Sequence, residues 1–325
     1  MECIEQKKKE LEQYMPQLTR QPDFEQFWKQ TKEESERVPI GLEMKQISYP
    51  ARHLRLYEVS YNGFDGTRIF GWYMEPVWGQ KSAEKEKLPC LVNYHGFSGD
   101  RGVPSDFFQW TMAGMAVLTV DCREQGGVTG NEAAYHGGMV KNVTSKGLLD
   151  PKEYYYRAVY MDCIRALDVA EQIDSVDKNR LVVHGISQGG GIGTAVCGLD
   201  KRPAAALLDV PSCADLERRV WGEHGAFSAV ADYLRKYPDH TEQAMKTLSY
   251  FDTMNLAEYI SCPVSASVGL KDNICPPECF FAAYNRIDAP KEVEIFPFNG
   301  HDGAKPLRWQ KKLEFLQKTG IISME

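Results

Sequence analysis

The run Leu181-Val-Val-His-Gly185-Ile-Ser187-Gln-Gly189-Gly-Gly-Ile joins an apolar strand to a small-residue helix through G-x-S-x-G. A serine at so tight a strand-to-helix turn needs glycine on either side, because the backbone is crowded there, and the turn lifts its hydroxyl above the strand end. The chemistry this suits is attack on an acyl carbon, with the amides of the helix N-terminus facing the oxyanion that forms. A serine hydroxyl is a weak nucleophile at neutral pH and needs a general base held by an acid. On a parallel sheet that presents a serine in this way, the acid follows a late strand and the histidine follows the last one. Val264 to Val268 leads into Gly269-Leu-Lys-Asp272, and Glu292 to Phe296 leads into Phe298-Asn-Gly300-His301-Asp302-Gly303. Ser187, Asp272 and His301 are therefore the expected nucleophile, acid and base. Asp209, after the preceding strand, is the rival acid. His53, His136, His224 and His240 fall before the sheet, in a glycine-rich loop or in a connecting segment, and place worse.

A second oxyanion donor is expected from the loop that ends an earlier strand, Asn93-Tyr-His95-Gly96-Phe97-Ser98-Gly99. The backbone amides of Phe97 and Gln188 are assigned to the hole, with Phe97 also beside the substrate. Asp121-Cys-Arg123-Glu-Gln125 closes another strand, and Arg123 there is read as pinning the loop by a salt bridge rather than touching substrate. Tyr154, Tyr155 and Tyr156 are read as core or subunit interface. Cys275-Pro-Pro-Glu-Cys279 has a metal-like interval but no second Cys/His pair at finger spacing. It is read as packing cysteines with a helix start at Pro276-Pro277, so neither metal nor cofactor is expected.

These residues need a frame. Asp23 to Arg37 carries Phe24, Phe27, Trp28 and Thr31 at helical spacing, and Leu54 to Met74 reads as an antiparallel hairpin turning at Asn62-Gly63-Phe64-Asp65-Gly66. Short apolar strands then alternate with helices. The strands are Leu88 to Tyr94, Ala116 to Asp121, Leu181 to Ile186, Ala204 to Val210, Val264 to Val268 and Glu292 to Phe296; the helices are Asp150 to Gln172, Gln188 to Leu199, Glu278 to Ile287 and Leu307 to Lys318. That rhythm predicts an α/β fold with a mostly parallel sheet flanked by helices. Asp215 to Tyr259 is long for one crossover and reads as a helical insertion shaping a pocket. No linker or repeat divides the chain, so residues 1–325 are expected to form one domain.

Composition agrees with such a frame. The 325 residues are 43% hydrophobic and 26% charged, which suits a soluble globular chain able to bury about 75% of its unfolded surface. A net charge of −7 without a basic stripe disfavours nucleic acid. The dense charge runs, Glu5 to Glu12 and Lys81 to Lys87, mix signs and are read as solvated faces or loops. The start lacks the apolar core of a signal peptide, no stretch reaches about 20 apolar residues, and nine scattered cysteines suit a reducing compartment. A cytoplasmic protein without a membrane partner is the expectation.

Taken together, the motifs resemble the carbohydrate esterase family of acetyl xylan esterases and cephalosporin C deacetylases, on the α/β-hydrolase fold. The matching phrases are Pro22-Asp-Phe-Glu-Gln-Phe-Trp28, Tyr94-His-Gly-Phe97, Tyr154-Tyr-Tyr-Arg-Ala-Val-Tyr-Met-Asp-Cys-Ile-Arg165, Gly185-Ile-Ser-Gln-Gly189, Thr247-Leu-Ser-Tyr-Phe-Asp252, Gly269-Leu-Lys-Asp272 and Phe281-Ala-Ala-Tyr-Asn285. The resemblance puts the family's triad on Ser187, Asp272 and His301. It implies hydrolysis of acetyl esters of small acetylated sugars, xylo-oligosaccharides and cephalosporin C, in a cytoplasmic homohexamer. Three positions depart from the pattern: Glu124 replaces the glycine of Arg-Gly-Gln, Asp302 the glutamate after the histidine, and Phe97 a tyrosine. A glycine position with positive φ would exclude Glu124, so a local change of loop is expected there. The rival readings are a serine peptidase or thioesterase on the same fold and a non-catalytic binding protein on a hydrolase frame.

Overall fold

A computed structural model describes residues 2–77, 87–303 and 305–323. The charge run from Lys81 lies outside the described residues except for Lys87. Nine strands form one sheet: β1 (Glu43–Ile47), β2 (Leu54–Asn62), β3 (Arg68–Pro76), β4 (Leu88–Tyr94), β5 (Ala116–Val120), β6 (Val176–Ile186), β7 (Ala205–Asp209), β8 (Val264–Gly269) and β9 (Lys291–Phe296). Their order is β1-β2-β3-β5-β4-β6-β7-β8-β9. The first three strands and the β3–β5 pair are antiparallel; from β5 through β9 every pair is parallel. The helices are α1 (Glu2–Gln13), α2 (Phe24–Glu36), α3 (Phe108–Met112), α4 (Tyr155–Gln172), α5 (Gln188–Leu199), α6 (Leu216–Trp221), α7 (Ser228–Lys236), α8 (Thr241–Phe251), α9 (Pro277–Tyr284) and α10 (Lys305–Lys318).

Alternation along each strand sends side chains to two cores. Val92, Leu118, Val183 and Leu208 join the larger, beside residues of α2, α4, α5 and the insertion helices; Leu91, Val117, Val182 and Leu207 join the smaller, with Trp110 of α3 and Phe315 and Leu316 of α10. Covered on both faces, β5, β7 and β8 are buried along their whole length, as central parallel strands require. The expected insertion is present as α6, α7 and α8.

Three elements were not expected from the sequence, one of them α3, whose five residues are too few to show a helical period. In α1 only Leu11 is buried, so its apolar stripe is one residue wide. β1, Glu-Met-Lys-Gln-Ile, is an edge strand exposed at four of its five positions and carries no alternation. Two others begin elsewhere than expected. α4 starts at Tyr155 because Asp150 to Glu153 form a turn, with Asp150 Oδ1 accepting from Lys152 N–H at 2.8 Å. β6 starts at Val176, its polar first half reaching β4 across a register shift between Leu88 and Cys90.

The sheet order reverses at β4: the chain goes from β4 to β5 on one side and returns to β6 on the other. The strand ends around such a switch leave a crevice, where parallel α/β sheets place their ligands. Tyr94 pairs with Gly185 in the β4–β6 ladder, so the Phe97 loop and the Ser187 turn leave the sheet side by side.

Candidate active site

Ser187 sits between β6 and α5 with φ 59° and ψ −119°, a conformation that costs a non-glycine residue about 1–3 kcal/mol. The surroundings hold it there. Its N–H donates to Asp209 C=O at 2.9 Å, and its own C=O accepts from Gly191 and Ser212 N–H, each at 3.0 Å. Both flanking glycines are sterically required: a Cβ on Gly185 would lie 2.2 Å from the Gly189 carbonyl, and one on Gly189 would lie 1.9 Å from Tyr94 O. Their absence lets β4, β6 and α5 close around the serine.

His301 and Asp272 arrive from the loops after β9 and β8. His301 Nε2 lies 2.8 Å from Ser187 Oγ, and His301 Nδ1 lies 2.7 Å from Asp272 Oδ2. Because Nδ1–H donates to the carboxylate, Nε2 is left to accept the serine proton. Asp272 is buried, and its Oδ1 accepts from Ile274 N–H at 2.9 Å and Cys275 N–H at 2.8 Å, which fixes the carboxylate before the histidine reaches it. Burial disfavours the charged imidazole, but the hydrogen bond to Asp272, followed by that to the Cys275 thiol, pushes His301 up to about 9. Arg219 Nη2–H donates to Ile274 C=O at 3.0 Å and steadies the same turn from α6.

The rival acid is engaged elsewhere. Asp209 accepts from Ser267 Oγ–H at 2.8 Å and Arg308 Nε–H at 3.0 Å and pairs with Lys312 Nζ, anchoring α10 to the sheet. Arg123 has the expected pinning role: wholly buried, it pairs with Asp162 at 2.7 and 2.8 Å and Asp65 at 2.9 and 3.0 Å.

The turn carrying Phe97 lies against Ser187, since a Cβ on Gly96 would come within 4.0 Å of Ser187 Cβ. His95 orders this loop by accepting from Cys122 N–H at 2.8 Å, which leaves its Nδ1–H to donate to Gly96 C=O at 2.7 Å. Among the described residues, the Phe97 and Gln188 amides have no protein acceptor. Glu124 does have positive φ, 56°, so a side chain is accommodated in the left-handed region, where a change of loop away from it was expected. Its carboxylate accepts from Lys146 Nζ at 2.6 and 2.7 Å and from Asn131 Nδ2 at 2.6 Å, which holds the strained residue in place. Asp302 is exposed and accepts from Asn299 Nδ2 at 3.0 Å. Among the described residues, no group of three or more His, Cys, Asp or Glu is placed to hold a metal ion, and no helix is long and apolar enough to cross a membrane.

The strand order, the serine turn and the neighbouring histidine define an α/β hydrolase. Within that class the chain belongs to the acetyl xylan esterase family (AXE1), whose sequence model matches residues 1–319, and so joins a family of carboxylic ester hydrolases. An acetyl xylan esterase from a Paenibacillus species has 40% identity and a TM-score of 0.91, over 95% of this chain and 98% of that one. Acetyl xylan esterase 1 from a Thermoanaerobacterium species has 29% identity and a TM-score of 0.86, over 94% and 98%. Acetyl esterase Axe7A of Xylanibacter ruminicola is 26% identical over 290 residues, which are 86% of this chain; the chain spans 63% of that relative's length.

Proposed function

We propose that this protein is a metal-independent serine esterase that removes acetyl groups from small acetylated sugars and xylo-oligosaccharides, and from cephalosporin C. The observation that carries the reading is the unbroken hydrogen-bond chain Ser187 Oγ to His301 Nε2 and His301 Nδ1 to Asp272, at 2.8 and 2.7 Å, in a chain of this family. His301 takes the hydroxyl proton as Ser187 Oγ attacks the acetyl carbonyl. The Phe97 and Gln188 amides stabilise the tetrahedral oxyanion, a contribution of about 3–4 kcal/mol per donor in comparable sites. His301 then gives its proton to the departing sugar oxygen, leaving an acetyl-Ser187 ester. Water, deprotonated by His301, attacks that ester, and His301 returns the proton to Ser187 Oγ as the acyl–oxygen bond breaks and acetate leaves. Asp272 holds the imidazole tautomer throughout.

All nine cysteines are free, eight of them buried, which supports a reducing, cytoplasmic setting. One continuous sheet supports a single working domain over residues 1–325. The homohexamer rests on family resemblance, and light scattering tests it.

The activity is tested by acetate release from acetylated xylose, xylo-oligosaccharides and cephalosporin C, with butyrate esters as a size control and Ser187→Ala as the blank. Ser187-dependent release favouring acetyl over butyryl is the expected result; full activity of Ser187→Ala would overturn the mechanism.

A further inference from the structure

The two oxyanion donors come from different strand ends, one from the loop after β4 and one from the turn after β6. Strand pairing sets their spacing only as far as Tyr94 and Gly185. Beyond that point the two peptides need another tie, because the hole works only if both N–H groups are held about 2.7–3.1 Å from one oxygen. Gln125, on the loop after β5, supplies it. Resting on the oxyanion assignment above, we propose that Gln125 is a positioning residue of this hole, its side-chain amide locking the Phe97 loop to the Ser187–Gln188 turn.

Gln125 Oε1 accepts from Ser98 N–H at 2.9 Å, which fixes the peptide next to the Phe97 donor. The same oxygen accepts from Gln188 Nε2–H at 3.1 Å, and Gln125 Nε2–H donates back to Gln188 Oε1 at 3.1 Å. The two glutamines thus close a reciprocal amide pair. The direction of every bond follows from one unambiguous donor, the Ser98 amide, which requires oxygen at that end of Gln125. Gln125 Nε2 then donates its other hydrogen to Tyr155 OH at 3.0 Å, and the Tyr155 O–H in turn donates to Arg123 C=O. Gln188 Oε1 takes its second bond from Tyr156 O–H at 2.9 Å, and Gln188 Nε2–H faces Cys122 Sγ at 3.9 Å.

Each amide therefore uses both hydrogens, and each oxygen takes two donors. Gln188 is buried at 2% exposure, where an unpaired amide group would be costly, so the pair has one arrangement rather than several. None of these side chains is bonded to Ser187 Oγ or His301. The role is to hold the donors, and its signature is a loss felt in the tetrahedral state more than in substrate binding.

The test is a double-mutant cycle with Gln125→Ala, Gln188→Ala and the double variant, both substitutions keeping the backbone amides. Wild type and Ser187→Ala run beside them, with acetate release and inhibition by methylboronic acid as readouts. Each single change is expected to lower kcat about 10–100-fold, short of the 10²–10³ of a lost donor, with KM within about two-fold. Boronate affinity should fall in proportion to kcat, and the double variant should be no worse than the poorer single. Gln125→Glu, of the same shape, sets carboxylate oxygen against Gln188 Oε1 and should behave like Gln125→Ala; it serves if the alanine variant fails to fold. Losses that multiply in the double variant, kcat within two-fold of wild type, or lower kcat with unchanged boronate affinity would overturn the proposal. An inactive Ser187→Ala beside unaffected glutamine variants defeats the positioning role alone; an active one defeats the esterase mechanism itself.

Discussion

The two sides of Ser187 are built differently. On the side of the β4 and β5 loops and α4, Arg123, Tyr155, Tyr156 and Gln188 are buried and joined by ion pairs and satisfied hydrogen bonds. On the side of the β8 and β9 loops, β9 is half-buried along its whole length, His301 is half-buried and Phe298 is 73% exposed. The difference fits the work that the proposed mechanism gives each side. Donors that stabilise charge must be fixed in place beforehand and shielded from water. A base that delivers a proton to a leaving sugar and then activates water must stand at the rim. Asp209 spans the two sides: its C=O holds the Ser187 N–H, while its carboxylate anchors α10, the helix that follows the His301 loop.

The largest effect should come from the rim. His301→Ala or Asp272→Asn should lower kcat about 10⁴-fold while the melting temperature moves only a few degrees. A folded His301→Ala retaining a tenth of wild-type acetate release would break the comparison, since the rim would then not carry the proton. On the buried side the damage should appear in stability instead. Arg123→Met leaves the Asp162 carboxylate buried without its cation and should cost about 3–5 kcal/mol in urea unfolding. Arg308→Met should cost less, because Asp209 keeps Lys312. The reverse ranking would mean that the α10 anchor, not the Arg123 pin, is the critical ion cluster.

The pH dependence separates the sides further. With His301 raised from the ordinary 6.5 to about 9, the neutral base accumulates only as pH rises, so kcat/KM should climb through the range 6.5 to 9. Stability runs the other way. A group whose folded pKa is raised contributes fully below 6.5 and loses that contribution as pH passes 9, so wild type should exceed His301→Ala in unfolding free energy most at low pH. Cys275→Ala removes the thiol that adds to the Asp272 effect and should move the midpoint of the activity profile downward without abolishing turnover. A midpoint at 6.5 in wild type, or no movement in Cys275→Ala, would show that solvent at the rim cancels both contributions.

The sheet and the triad candidates were legible because both follow from order along the chain. β4 and α5 fall where the apolar runs placed them, and Ser187, Asp272 and His301 stand after β6, β8 and β9. Features that depend on side chains meeting across the fold were not legible. Gln125 lies 27 residues from Ser98 and 63 from Gln188, and nothing in its neighbourhood marks it as bonded to both. Tyr155 and Tyr156 read as core, and they are; that their hydroxyls also complete the glutamine network depends on rotamers. Cys275 read as a packing cysteine, although its thiol adds to the upward push on His301. α1 and β1 escaped because exposed elements carry no apolar pattern.

The smallest expected effect tests the loop after β5. Glu124 holds φ 56° at a non-glycine cost of about 1–2 kcal/mol, offset by the Lys146 pair and the Asn131 bond, each worth about 1 kcal/mol or less on a half-exposed carboxylate. Glu124→Ala keeps the strain and loses both partners. Glu124→Gly loses the same partners but relieves the strain, against about 0.4–1 kcal/mol of added freedom in the unfolded chain. Glycine should therefore be the more stable of the two variants by a few tenths to about 1 kcal/mol, and alanine being equal or better would show that the backbone here is not strained. Both should keep kcat within two-fold, because Gln125, one residue on, is held by bonds that Glu124 does not make. A larger fall in kcat at unchanged melting temperature would move the anchor of the oxyanion loop from the part-buried glutamine pair to the exposed Glu124–Lys146 pair.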